Sequence, residues 1–204
     1  MNRTKIIIII AIVVAAITLI YSFTGQDDTA YITKIQKQRE EKDRFMRTAS
    51  DSPFAENVAE YKGLNWFAPD KNYQVKARLI VVENKKIVEL PTSDGKTKRY
   101  MEYAYAEFKL DGKEHRLLIL EIIDMGPYKG TLFLAFGDET SARETYGAGR
   151  YLDVKKPRGQ NSILLDFNEA YNPYCAYNDN FSCPLPPPEN LLTIPVRAGE
   201  KNYK

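Results

Sequence analysis

The chain has 204 residues, with 29 basic and 27 acidic side chains, one histidine and two cysteines. Arg3 and Lys5 precede every acidic residue, so the remainder balances at 27 against 27 and lacks the basic excess that nucleic-acid binding demands. A single histidine excludes a multi-histidine metal set, no cofactor motif is visible, and the ~180 residues beyond the first 25 suffice for one domain with a real core.

Ile6–Ile20 is apolar apart from Thr18, and Tyr21–Phe23 extends the run. At 1.5 Å per residue such a helix would be about 27 Å long, close to the ~30 Å thickness of a bilayer's hydrocarbon layer. Arg3 and Lys5 also suit the charged start of a cleaved signal peptide, but the run is long for that role and no Ala-x-Ala follows it. The expectation is a single N-terminal membrane anchor over residues 1–25. The positive-inside rule then leaves the N-terminus cytoplasmic and the remainder periplasmic on a bacterial inner membrane, or secreted if the segment is cleaved.

Residues 26–52 read as a charged linker helix. Thr29 can cap it, Ile32, Ile35, Phe45 and Met46 form a sparse apolar stripe, and Arg39–Asp43, Glu40–Arg44 and Asp43–Arg47 are opposite charges at i,i+4. Asp51-Ser52-Pro53 ends it. Beyond Gly63–Pro69 the period becomes two: Tyr73, Val75, Ala77, Leu79 and Val81 alternate with Gln74, Lys76 and Arg78. Ile87–Leu90, Arg99–Leu110, Glu114–Ile122, Thr131–Ala135, Arg150–Val154, Ser162–Asp166 and Leu192–Val196 are further strands, with Asp111-Gly112 a hairpin turn. No long helical pattern separates them, so residues 53–204 are expected to be a mainly β (α+β) domain. Its sheet should be curved and mostly antiparallel, or a partly open barrel, with one or two N-terminal helices and a Pro-rich C-terminal strap.

The segment Leu164–Glu200 holds both cysteines and six of the eleven prolines. Pro184 and Pro186–Pro188 impose an extended, irregular path. In an extracytoplasmic domain Cys175 and Cys183 most simply form a disulfide, the alternatives being buried free thiols or a metal-binding or catalytic thiol. Arg150, Asp166, Asn168, Asn172, Glu189 and Asn190 stand among Tyr171, Tyr177 and other aromatic residues. That inventory suits a small-molecule pocket, and it equally suits satisfaction of the backbone of an irregular loop. In Arg150–Val154, Arg150 shares a face with Leu152 and Val154, so it should point inward and need a carboxylate or anionic partner; Asp166 and Glu189 are the nearest by topology.

Several stretches carry a family resemblance: Phe136-Gly137-Asp138-Glu139-Thr140-Ser141, Thr145-Tyr146-Gly147-Ala148-Gly149-Arg150-Tyr151-Leu152, Asp166–Tyr177, Cys183–Asn190 and Ala198-Gly199-Glu200. In wording and order they resemble the bacterial and archaeal domain-of-unknown-function family numbered 1684, over most of residues 31–200. The resemblance implies a shared fold and motif set and no reaction. The leading expectation is an anchored extracytoplasmic domain binding a small molecule or a cell-envelope component. The alternatives are a hydrolase-like enzyme, with Asp166 or Glu189 as base and Arg150 as anion stabiliser, and a structural envelope protein.

Overall fold

The computed structural model describes residues 3–124, 126–155, 159 and 161–204, without side chains for 3–8, 11 and 15–27 of its first helix. That helix, α1 (Arg3–Thr48), is continuous. Thr29 does not cap it; the Thr29 carbonyl instead accepts the Thr33 hydroxyl at 2.8 Å inside the helix. Gly25 costs only about 1 kcal/mol in a helix interior, and no proline occurs before Pro53, so nothing in the sequence breaks the helix earlier.

Among the described residues no helix is long and apolar enough to cross a membrane. The single N-terminal anchor expected for residues 1–25 is therefore corrected, and the inner-membrane placement with a periplasmic domain goes with it. The run that suggested an anchor falls largely on side chains outside the described set. What is described of α1 is mostly its charged half, which docks on the domain.

The domain is a seven-stranded antiparallel sheet curled into a half-barrel, the mainly β architecture anticipated from the period-two segments. Its strands are β1 (Gln74–Val81), β2 (Ile87–Pro91), β3 (Thr97–Leu110), β4 (Lys113–Ile122), β5 (Leu132–Phe136), β6 (Arg150–Val154) and β7 (Ser162–Asp166). They lie in the order β6-β5-β4-β3-β1-β7, with β2 also paired to β3. A register shift between Glu102 and Ala104 reverses which face β3 presents to each side. Tyr100 accordingly packs with Leu118, Leu120 and Phe133 on one face. Ala104, Ala106 and Phe108 pack with Leu117, Ile119 and Leu134 on the other.

Both faces of β5 are buried, and residues 167–200 cover them. Cys175 and Cys183 join the first cluster, while Leu192, Ile194, Val196 and Ala198 complete the second. The expected strand Leu192–Val196 is irregular instead. Leu192 N–H reaches the Gly137 carbonyl at 2.8 Å, and Glu139 N–H donates to the Ile194 carbonyl at 3.2 Å. Pro195 then removes a ladder donor, and the Val196 carbonyl is taken by Arg150 at 2.9 Å.

Candidate functional site

Arg150 opens β6 opposite Phe136 of β5, and it is 1% exposed. Its Nη2 donates to Asp138 Oδ2 at 2.8 Å and to the Val196 carbonyl; its Nη1 donates to the carbonyls of Ala198 and, at 3.3 Å, Glu200. Asp138 Oδ1 accepts from the Thr140 N–H and hydroxyl and from Val196 N–H at 2.6–3.1 Å. Burial pulls the guanidinium's pKa down, and the Asp138 carboxylate opposes that pull. The inward arginine thus has a carboxylate, but it is Asp138 rather than Asp166 or Glu189. The pair serves to bind residues 196–200 into the interior.

Asp166, Asn168, Tyr171 and Tyr177 meet α1, and Asn172 is linked to it through Glu200. Tyr31 of α1 donates to both oxygens of Asp166 at 2.8 and 2.9 Å, and Asn168 Nδ2 donates to the Tyr31 hydroxyl at 2.8 Å. Burial, then the Asp166 hydrogen bond, raises the Tyr31 pKa. Two turns on, Arg39 donates to the carbonyls of Phe67 and Asn168 and lies 4.8 Å over the Trp66 ring. One turn further, Lys42 Nζ stands 3.7 Å from Glu200 and 3.9 Å over the Tyr171 ring. A quarter of the Lys42 side chain is exposed, but its ammonium is enclosed, and burial pushes its pKa down to about 8 against the pull of Glu200. Glu200, fully buried, accepts from Tyr177 at 2.5 Å and from the Asn172 side chain and backbone at 3.1 Å; burial raises its pKa. Residues 31, 35, 39, 42 and 46 recur at helical spacing, and the polar candidates they meet hold the helix in place.

The strap residues are separate again. Asn190 is fully buried: its Oδ1 accepts from Leu118 N–H at 2.6 Å, and its Nδ2 donates to the carbonyls of Leu118 and Ala135. Glu189 is exposed, 3.4 Å from the Tyr105 hydroxyl. Cys175 and Cys183 are buried free thiols, so the expected disulfide is absent; Cys175 N–H donates to Cys183 Sγ at 3.2 Å. Among the described residues no group of three or more His, Cys, Asp or Glu side chains is placed to hold a metal ion.

Several open spaces adjoin this framework among the described residues, and the most apolar lies beside the strap. A cleft of about 410 Å³ lies between the Gly137–Ser141 turn, the Gly147–Gly149 turn and the strap, whose Leu185, Pro186 and Leu191 form its apolar side. Glycine permits the close approach. Gly149 has φ +85°, and a Cβ there would stand 2.5 Å from Pro186 Cγ and 2.7 Å from the Phe136 carbonyl oxygen. A Cβ on Gly137 would stand 2.8 Å from Leu191 Cδ2. Residues 59–201, which contain all of these turns and the strap, match the family described as proteins of unknown function, DUF1684. The chain belongs to that family. This DUF1684 chain is also similar to the solution NMR structure of an uncharacterized protein of Haloarcula marismortui, at 40% identity and a TM-score of 0.65, covering 86% of this chain and 96% of that one. No curated protein matches the chain.

The inward orientation of Arg150 was readable from alternation, but Asp138, Glu200, Lys42 and Tyr31 were missed as its counterparts and theirs. Asp138 and Glu200 stood within recognised motif stretches. Nothing in their spacing says which buried donors they meet, because those donors are brought by β6 and α1.

Proposed function

We propose that this DUF1684 domain binds a small, largely apolar molecule in the cleft between the two glycine turns and the strap. The observation that carries this reading is the cleft itself. Its volume falls in the range of small-molecule sites, and its walls are apolar. Leu191 leaves 60% of its surface exposed at the rim, and Glu139 and Ser141 offer polar groups for orientation. The walls are braced from behind: Asn190 ties the strap to β4 and β5, and Arg150 with Asp138 fixes the turn. Pre-formed walls reduce the ordering cost of binding.

The hydrolase-like reading has less support. Both Nη groups of Arg150 are engaged, by Asp138 and three backbone carbonyls, and Asp166 is engaged by Tyr31, Gln74 and Asn168. Thermal-shift and ligand-observed NMR screening of the full chain against apolar metabolites tests the proposal. Hits should stabilise the native protein, and Leu191→Asp should abolish that stabilisation while leaving the melting temperature of the free protein unchanged. Hits that bind Leu191→Asp equally well would overturn this location, and a screen without hits would favour a purely structural domain.

A further inference from the structure

The two thiols sit where neither the cleft nor the docking of α1 employs their chemistry. Cys175 lies in a short 3₁₀ turn (Tyr174–Ala176), and Cys183 immediately precedes the strap. Each is fixed independently. Cys183 exchanges backbone contacts with the turn between β2 and β3, donating its N–H to Ser93 Oγ at 3.2 Å and accepting Ser93 N–H on its carbonyl at 2.9 Å. Cys175 is held by the 3₁₀ turn, directs its own N–H at the Cys183 sulfur, and receives the Tyr146 hydroxyl on its Sγ at 3.7 Å. Around them stand Tyr100 of β3 and Tyr151 of β6, with Tyr146, Tyr174 and Phe181 half-buried above them.

The pair is chemically unequal. Hydrogen bonding to Cys183 pushes the Cys175 thiol down, with the Tyr146 hydroxyl adding to the effect against burial. The same hydrogen bond, together with burial, pushes Cys183 up, while Lys98 weakly opposes. The Tyr146 hydroxyl donates to Cys175 Sγ, a contact that favours the thiolate on that sulfur.

We propose that Cys175 and Cys183 form a thiol–disulfide exchange site, in which Cys175 attacks a low-molecular-weight disulfide and Cys183 resolves the adduct. The Cys175 thiolate bonds to one sulfur of RS–SR, the S–S bond breaks and RS⁻ leaves. Cys183 then gives up its proton, its sulfur bonds to Cys175 Sγ, and the second RS⁻ leaves. The Cys183 proton and one proton from water finish on the two leaving thiolates. RS–SR is thereby reduced to two RSH while the protein pair is oxidised by two electrons. The bridge would join the 3₁₀ turn to the residue in front of Pro184, replacing a hydrogen-bonded contact with a covalent one. This exchange stands independently of the cleft.

The test uses the native full chain and oxidised glutathione, read by intact mass after acid quench. Wild type should lose two hydrogens and accumulate no adduct. Cys183→Ser should retain one glutathione on Cys175, and Cys175→Ser should react at least ~10-fold more slowly. Equal capture by the two variants, or wild-type thiols that react only after denaturation, would overturn the assignment. Should either variant fail to fold, peptide mapping of wild type quenched early identifies the cysteine carrying the transient adduct. Cys175 supports the proposal, and Cys183 refutes it.

Discussion

Replacing Arg150 by alanine should be among the most damaging single changes in this domain. The substitution leaves Asp138 Oδ2 without its partner, since the remaining donors to that carboxylate all address Oδ1. It also removes the donor from the carbonyls of Val196, Ala198 and Glu200. Stranding one member of a buried ion pair costs about 3–5 kcal/mol. Each orphaned carbonyl adds up to about 1 kcal/mol, though these losses overlap because the freed segment can shift toward water. A loss of about 4 kcal/mol in a chain of this size lowers the melting temperature by on the order of 10 °C. Urea and thermal denaturation of the purified full chain measure it. Asp138→Leu combined with Arg150→Met provides the internal control, because removing both charges leaves neither stranded. The double variant should be more stable than the sum of the two single losses implies, by about 2 kcal/mol or more. An Arg150→Ala loss below about 1 kcal/mol, or strict additivity in the cycle, would refute the structural role assigned to the pair.

Lys42 should give a measurable pH signature. Its folded pKa of about 8 lies below the value near 10.4 of an unfolded lysine, so between those limits the unfolded chain holds a proton that the folded chain lacks. Stability therefore rises with pH across that window and is lost as pH falls through 8, by at most about 3 kcal/mol. Urea titrations at pH 7.5 and 10 should show the rise in wild type and not in Lys42→Met; parallel curves would sink the account. Gly149→Ala should cost about 2 kcal/mol or more, because it combines a positive φ with a clash against Pro186 and the Phe136 carbonyl. A near-neutral melting temperature for that variant would mean the strap does not press on the turn as described.

Much of the architecture is legible in periodicity. β1 shows why: Val75, Ala77 and Leu79 are buried at alternate positions against one core, as a half-buried strand requires. The same rule misleads at Leu192–Val196, where Pro195 and the guanidinium of Arg150 divert the backbone from any ladder. Helical signals located the second half of α1 but set its start at Thr29, since a Thr-initiated charged segment looks the same whether a helix begins there or passes through. At the polar positions, alternation shows that Arg150 points inward. Its partner depends on the β5–β6 pairing that sets Phe136 against Arg150 and carries Asp138 beside it, a non-local fact. Spacing brought the cysteines together but could not decide their oxidation state, which depends on surroundings more than on sequence.

Arg150 also bears on the order in which the chain can acquire its structure during synthesis. Its backbone acceptors lie 46–50 residues further along, and Tyr31 waits for Asp166 across 135 positions. A nascent chain that has reached β6 holds a guanidinium destined for the interior with only Asp138 available to meet it. Until residues 196–200 emerge, that end of the sheet keeps its charge and its apolar face open to water. Early segments can form hairpins, but the interior closes late and in one step. A pause or truncation before residue 196 should therefore yield an open, aggregation-prone sheet rather than a smaller version of the domain.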